Sequence, residues 1–259
     1  MKKVIYTSLV GAYDVLKQPL VIDYSYDYIC YSNDFDTDKI GVWTIKKIPY
    51  SSDSKTRLSR YVKIQPHKVL KDYDYSVWID SNLQIKTEAF YAAIEKQIAN
   101  NSLISQVPHT LPPIDCVYDE IKYALKLAVV SYRDAKKQYQ HLKQSGFPKH
   151  FGLLENNIIF RDHNNELVKK ISDSWWDEYL SYTNRDQFSL MFVYWQNNFF
   201  PTYLFGPNTC TRNSDCIIYH PHVRILSKIT LSNIIKSLKK QPVKYSKRLL
   251  ALLLVHFID

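Results

Sequence analysis

The sequence predicts an α/β fold of the Rossmann-like kind, a mostly parallel sheet flanked by helices. Three observations predict it. Short apolar runs of strand type alternate with helix-periodic stretches across residues 4–195, the order that builds a parallel sheet covered by helices. The hydrophobic fraction of 46% is ample for one large core. The apolar run Ser76-Val77-Trp78-Ile79 ends abruptly on Asp80-Ser81-Asn82, and an acid at the carboxyl end of a buried strand lies where open α/β sheets bind ligands.

The elements follow in order. Residues 4–10 read as a first strand, broken by Gly11-Ala12-Tyr13-Asp14. Tyr28-Ile29-Cys30-Tyr31 reads as a second, ended by Ser32-Asn33-Asp34, and Val42-Trp43-Thr44-Ile45 as a third. Residues 55–70 are helical in pattern and carry Arg57, Arg60 and Lys63 at i, i+3 and i+6, which sets three cations on neighbouring turns of one face. The strand leading to Asp80 comes next, then a second apolar alternation. Residues 87–100 predict a helix with Thr87 as its N-cap. Residues 114–139 predict one long helix entered through Pro112-Pro113. Residues 153–160 return to strand character, and 165–180 and 186–195 read as helices. There is no internal repeat and no low-complexity linker.

Composition narrows the chemistry. Five glycines in 259 residues leave little for a Gly-rich phosphate loop, and neither a GxGxxG nor a Walker sequence occurs. A bound nucleotide must be held by side chains, a metal and isolated backbone amides. The 21 tyrosines offer flat apolar faces with a hydroxyl, suited to sugars and bases. Cys30, Cys116, Cys210 and Cys216 lack C-x-x-C spacing. The first two read as buried thiols; Cys210 and Cys216 could close a small loop, although a reduced cytosolic setting is the expectation. Asp14 interrupts the first apolar run, which reads as a strand and not as a leader. No stretch reaches the roughly 18 apolar residues that span a bilayer, so a cytoplasmic location is expected.

Charge is unevenly placed. The last 36 residues hold eight Lys or Arg and one acid, +7 of the total +9. The expected organisation is a catalytic domain over 1–224 and a basic amphipathic helical segment over 225–259. One reading places that segment on an anionic membrane, at the inner face of the cytoplasmic membrane. The other packs it on its own domain as a helical hairpin. Nucleic acid is not an expected partner, because aromatics do not interleave with the basic run.

Asp80 and Asn82 present two oxygen donors of the kind that hold a hard divalent ion, Mg²⁺ or Mn²⁺, which can bridge the phosphates of a nucleotide. Tyr219-His220-Pro221-His222 fits a metal site geometrically if the segment is extended. The cations Arg57, Arg60 and Lys63 can neutralise a diphosphate.

Several segments together resemble the GT-A superfamily of nucleotide-sugar glycosyltransferases. Within it, the chain is most similar to a group long known as a domain of unknown function, shared by plant mucilage-type glycosyltransferases and bacterial capsule or lipopolysaccharide enzymes. The segments are Tyr6-Thr7-Ser8-Leu9-Val10-Gly11-Ala12-Tyr13-Asp14, Tyr28-Ile29-Cys30-Tyr31-Ser32-Asn33-Asp34, Trp78-Ile79-Asp80-Ser81-Asn82, Gly152-Leu153-Leu154-Glu155-Asn156-Asn157-Ile158-Ile159-Phe160-Arg161, and Trp175-Trp176-Asp177-Glu178 with Arg185-Asp186-Gln187. Pro108-His109 and Cys116-Val117-Tyr118-Asp119-Glu120 lie between them. The likeness covers roughly residues 4–195 and stops short of the tail.

The resemblance implies roles. Thr7 and Gly11 would let the backbone approach a base or ribose, Tyr13 would stack on the base, and Asp34 would accept from base or ribose. Lys63 is the favoured diphosphate cation. Glu155, Asn156 and Arg185 would lie by the donor and acceptor sugars. Asp186, with Gln187 beside it, would face the anomeric carbon, as the similar Asp-Gln of glycogenin-like and lipopolysaccharide galactosyltransferases does. A carboxylate there either deprotonates the acceptor in an inverting transfer or stabilises the oxocarbenium-like centre in a retaining one; the parallel favours retention. Trp175, Trp176 and Trp195 are candidates for a sugar-stacking wall. The chain departs from Asp-x-Asp by placing Asn at position 82, which weakens metal binding. The resemblance also implies a late histidine ligand, for which His220 and His222 are the candidates. The implied function is transfer from a nucleotide-diphosphate sugar to a saccharide, or lipid-linked saccharide, of a bacterial surface polysaccharide. The rival reading is a catalytically inactive sugar-nucleotide binding or scaffold module.

Overall fold

The structure, a computed structural model, describes residues 1–11, 14–109 and 115–222. Tyr13 and the basic segment 225–259 lie outside them, and with them the expectations placed there. An eight-stranded sheet has the order β3-β4-β2-β1-β5-β8-β7-β9. The strands are β1 (Lys3–Ser8), β2 (Tyr26–Tyr31), β3 (Lys39–Ile40), β4 (Trp43–Lys46), β5 (Tyr75–Ile79), β7 (Ile104–Pro108), β8 (Leu154–Arg161) and β9 (Thr202–Tyr203). β4, β2, β1 and β5 are parallel neighbours. β8 runs antiparallel between β5 and β7, and β9 is parallel to β7. Only β3 and β8 run against the rest, so the sheet is mostly parallel as expected. A separate antiparallel ribbon joins β6 (Leu83–Ile85) to β10 (Ile217–Tyr219), pairing Leu83 with Tyr219. It brings the chain near residue 220 back to the loop after β5.

Side-chain alternation on the strands feeds two apolar layers. Trp78 of β5 packs on one face with Tyr6, Trp175 and Phe188. Val77 and Ile79 pack on the other with Ile5, Phe90 and Phe160. The helices covering the sheet are α1 (Lys55–Ile64), α2 (Pro66–Val69), α3 (Ala89–Ala99), α4 (Val117–Lys126), α5 (Tyr132–Gln144), α6 (Glu166–Ser181) and α7 (Leu190–Gln196).

The elements differ from the expectation where a local break outweighs periodicity. Residues 55–70 are two helices, because Pro66 lacks the N–H that would continue α1 and starts α2 instead. Residues 114–139 are also two. The first ends at Lys126, Ala128 takes φ 53° beyond it, and Ser131 caps α5 by accepting from the Asp134 amide at 3.1 Å. Residues 186–188 are a 3-10 turn before α7. Glu88, not Thr87, occupies the cap of α3, with no side-chain capping bond. All four cysteines are free thiols. Trp175 and Trp176 are buried, and Trp195 packs on Phe147 and Phe192, so these rings belong to the core and none forms a sugar wall.

Candidate active site

A strand end and a 3-10 turn converge on a single lysine of α1. Asp80 follows β5 directly, and its amide donates to the Asn157 carbonyl at 2.8 Å. Its Oδ1 accepts from Trp78 Nε1 at 2.7 Å and lies 3.4 Å from Lys63 Nζ. The same Nζ stands 2.7 Å from Asp186 Oδ2, and Arg60 Nε stands 3.1 Å from Oδ1. Lys63 is 1% exposed and Asp186 6% exposed, so two carboxylates share a fully enclosed ammonium. The i, i+3 spacing of Arg60 and Lys63 puts both on the face of α1 that meets this point. Arg57 does not line either cavity described below. Beneath them, Arg161 NH1 donates to the Lys63 carbonyl at 2.9 Å and to the Tyr6 hydroxyl at 3.0 Å, which fixes the last turn of α1.

Burial alone would raise the Asp186 carboxyl. The Arg60 and Lys63 charges beside it, with Arg185 further off, overcome that and hold it well below the usual carboxylate range. Asp186 is therefore an anion at every ordinary pH and a weak base. Its main-chain carbonyl is fixed by Asn156 Nδ2 and Trp175 Nε1, both at 3.2 Å. Gln187 Nε2 donates to the Leu154 carbonyl at 2.5 Å.

The neighbouring wall is a set of matched charges. Glu155, 4% exposed, meets Arg212 NH1 at 2.7 Å and accepts from the Thr211 hydroxyl at 2.6 Å and the Thr211 amide at 3.1 Å. Arg185 NH2 meets Glu120 at 2.6 Å. His109, just past β7, lies between these pairs, and its Nδ1 has no partner among the described residues. Burial keeps its imidazole below the ordinary histidine value; Glu120 and Glu155 pull it up and Arg212 and Arg185 push it down. Glu155, Arg212, Arg185, Glu120 and His109 line a cavity of about 240 Å³ together with Arg60, Lys63, Asp80, Asn82, Asn156, Asp186, Gln187 and His222.

A larger cavity, about 640 Å³, opens beside it and shares Arg60, Asp80, Asn82, Arg185, Asp186 and His222. Its walls are mixed. Leu9, Val10, Trp78, Val129 and Val130 are apolar, while Ser8, Ser59, Thr56, Lys55 and Ser131 are polar. Gly11 lies on this wall with φ +80°, and a Cβ there would meet Lys55 Cδ at 2.5 Å. The Gly11 amide donates to an Asp34 carboxylate oxygen. Asp34 thus fixes the loop backbone and is not a lining residue itself. Thr7 is 1% exposed with its hydroxyl enclosed; Ser8, the next residue, is the one that reaches the cavity.

The metal candidates separate in the structure. Asn82 Nδ2 donates to the His220 carbonyl at 2.9 Å and the His220 amide donates back at 3.0 Å, leaving Asn82 Oδ1 and Asp80 Oδ2 without hydrogen-bond partners among the described residues. The His220 ring turns to Gln84 at 2.9 Å and lines neither cavity. His222 lines both, and its Nδ1 lies 2.8 Å from Asp14 Oδ2, the arrangement by which a carboxylate orients a ligating imidazole. A carboxylate, an amide oxygen and an imidazole suit Mn²⁺, or Mg²⁺ with more water. Charge points the same way. The acids Asp80, Glu120, Glu155 and Asp186 are matched by Arg60, Lys63, Arg185 and Arg212, so an arriving diphosphate meets no surplus cation in the smaller cavity.

Sequence reasoning singled out Asp80, Asn82, Lys63, Glu155, Asn156, Arg185, Asp186, Gln187 and His222, and the fold brings all of them to one place. It missed Arg212, Glu120 and Asp14. Their partners are 57, 65 and 208 positions away in the chain, and no local pattern marks such pairs.

A family model described as TOD1/MUCI70, glycosyltransferase-like domain, matches residues 19–215. The chain belongs to the TOD1/MUCI70 family. It is a glycosyltransferase, and membership implies a nucleotide-sugar donor and a saccharide acceptor. The TOD1/MUCI70 match runs from β2 to β9 and includes Lys63, Asp80, Glu155 and Asp186; Gly11 and His222 fall outside it. No curated protein matches the chain. Among solved structures, mouse xyloside xylosyltransferase 1 in its apo form is similar at 10% identity, with a TM-score of 0.44 over 78% of this chain and 84% of that one. The apo WbbM bifunctional glycosyltransferase is similar at 12% identity, with a TM-score of 0.41 over 78% of this chain and 38% of that one. Among the described residues no helix is long and apolar enough to cross a membrane.

Proposed function

We propose that this chain moves a sugar from a nucleotide-diphosphate sugar to a saccharide, or lipid-linked saccharide, of a bacterial surface polysaccharide, with metal assistance and retention of configuration. The observation that carries the reading is the meeting of Asp80, Lys63 and Asp186 at the junction of two cavities. The larger cavity takes the nucleotide: Leu9 and Val10 offer apolar contact, and Gly11 permits close approach. The smaller takes the sugars, whose hydroxyls meet Glu155, Asn156, Gln187 and Arg185. The polysaccharide setting rests on the likeness to capsule and lipopolysaccharide enzymes.

Asp80, Asn82 and His222 would hold Mn²⁺ or Mg²⁺. Bound there, the ion would neutralise the departing diphosphate. Lys63 and Arg60 hold Asp186 ionised, so it serves poorly as a proton acceptor and better as a fixed negative charge facing a positive anomeric centre. That division of labour favours retention.

A screen of nucleotide-sugars by thermal shift, with and without Mn²⁺, followed by assay for released nucleoside diphosphate, tests the reading. The right donor should raise the melting temperature by mass action, more so with metal, and should be slowly split. The neutral amide of Asn82 favours the rival, an inactive binding module, which would show the shift without release. If no nucleotide-sugar shifts the melting temperature, both readings fail.

A further inference from the structure

A second group of metal-ligating side chains lies apart from both cavities. Cys116, Asp119 and His150 each present a ligand atom, and these atoms all lie within 4.8 Å of one another. Cys116 occupies the N-cap position of α4, and Asp119 follows one turn on, its amide donating to the Cys116 carbonyl at 3.1 Å. The i, i+3 spacing points both side chains to the same side of the helix start. His150 arrives from the turn before β8. Its Nδ1 lies 2.8 Å from Asp115 Oδ1, which leaves Nε2 as the ligating edge, and a carboxylate behind the outer nitrogen is what orients metal-bound histidines. The Cys116 thiol is buried and free, while Asp119 and His150 face solvent. Neither the thiol nor the Asp119 carboxylate has a hydrogen-bond or ion-pair partner among the described residues.

We propose that Cys116, Asp119 and His150 form a zinc site, with Asp115 orienting the histidine. One thiolate, one imidazole and one carboxylate are the donor types that zinc prefers, and three protein ligands leave a fourth position for water. Hard ions such as Mg²⁺ would not choose a thiolate. Binding there releases the thiol proton to solvent as the Zn–S bond forms. The ion ties the start of α4 to the turn before β8. Because Glu120 is the residue after Asp119 and pairs with Arg185, this tie braces one wall of the smaller cavity.

The test titrates Zn²⁺ into the full chain against a chromophoric chelator, in an Asp80→Ala background that removes the other candidate ion site. One Zn²⁺ should bind per chain and raise the melting temperature. Cys116→Ser and His150→Ala should each weaken binding by about 100-fold or more, and Asp115→Asn by about 10-fold or more. Millimolar-range Mg²⁺ should not compete. If Cys116→Ser fails to fold, His150→Ala decides, since its ring is exposed. No Zn²⁺ binding in the Asp80→Ala chain, or equal binding after His150→Ala, overturns the proposal.

Discussion

The two cavities that meet at Asp80 and Asp186 are built on opposite terms. In the smaller, the acids lie against cations: Glu155 on Arg212, Glu120 on Arg185, Asp186 on Lys63 and Arg60. In the larger, apolar residues from the β1 loop and the α4–α5 turn face hydroxyls and a glycine. Matched charges neither draw in nor repel an ion, but they present many fixed donors and acceptors. Such a wall suits a neutral, hydroxyl-rich ligand. The larger cavity suits a flat, partly apolar ligand with an anionic end that stops where the two meet. On the proposed function, one fold would sort a nucleotide-sugar into its two halves, with the bond to be broken over Asp80 and Asp186.

The largest break in this contrast comes from Asp186→Asn. The amide keeps the volume and removes the charge, leaving the enclosed Lys63 and the half-buried Arg60 with only Asp80 near. Removing one partner of a buried ion pair costs about 3–5 kcal/mol, far above the roughly 1 kcal/mol of a lost helix cap. Urea melts should show that loss, and kcat should fall by about 100-fold or more. Normal turnover would take Asp186 out of the chemistry.

Acid separates the smaller cavity from the rest of the protein. The Asp186 carboxyl is depressed in the fold, so its contribution to stability is present above the unfolded value of about 3.9 and is lost only as pH falls below it. His163 behaves differently. It is fully buried with Nε2 2.9 Å from the Leu70 carbonyl, and burial pushes its imidazole down to about 4. The unfolded chain takes up that proton first, so stability should fall by about 3 kcal/mol between pH 6.5 and 4 on this account. In His163→Gln that slope should flatten, leaving the carboxylate loss at lower pH. Urea melts from neutral to acid pH in both forms check it.

Arg212→Ala sharpens the contrast between sugar and nucleotide sides. It leaves Glu155 with only the Thr211 and Asn157 bonds, at a cost of about 1–3 kcal/mol. Turnover should fall while affinity for the nucleoside diphosphate alone stays within about two-fold, a change below about 0.4 kcal/mol. Calorimetry with the nucleotide and kinetics with the donor read the two sides separately.

Much of this site was legible because its residues sit where strands and helices begin or end. Asp80 ends an apolar run, Glu155 and Asn156 open another, and Asp186 follows a helix. The sheet was legible wherever strands are apolar. β7 was not, because Ser105 and Gln106 stand in its centre. Both are fully buried, and Gln106 Nε2 donates to Asn156 Oδ1 at 3.1 Å; a polar residue committed to a long-range bond reads locally as a loop. The α4–α5 break was hidden by the apolar run Leu127-Ala128-Val129-Val130, which continues helical periodicity while the backbone leaves it. Thr7 was named for its backbone; its side chain is enclosed, while that of Ser8 reaches the cavity, as strand alternation dictates.

The smallest expected effect is on the nucleotide side. Gly11→Ala puts a side chain at φ +80° against the Lys55 stem, a cost of about 1–2 kcal/mol in backbone strain, eased in part because the lysine can shift. Nucleotide affinity should drop several-fold with kcat little changed. An unchanged dissociation constant would place the nucleotide elsewhere.

The most direct measurement of the central claim is nucleoside diphosphate release from the donor by wild type and Asp80→Ala, with Mn²⁺ and with excess EDTA. Asp80→Ala should still fold, because Asp186 keeps Lys63 paired, but with a lowered melting temperature, since the buried Trp78 indole N–H loses its acceptor at a cost of about 1–3 kcal/mol; release is therefore compared well below either melting temperature. The account predicts release by wild type with Mn²⁺, and none by either protein in EDTA or by Asp80→Ala under any condition. Full release by Asp80→Ala, or by wild type in EDTA, would contradict metal-assisted transfer at the junction of the two cavities.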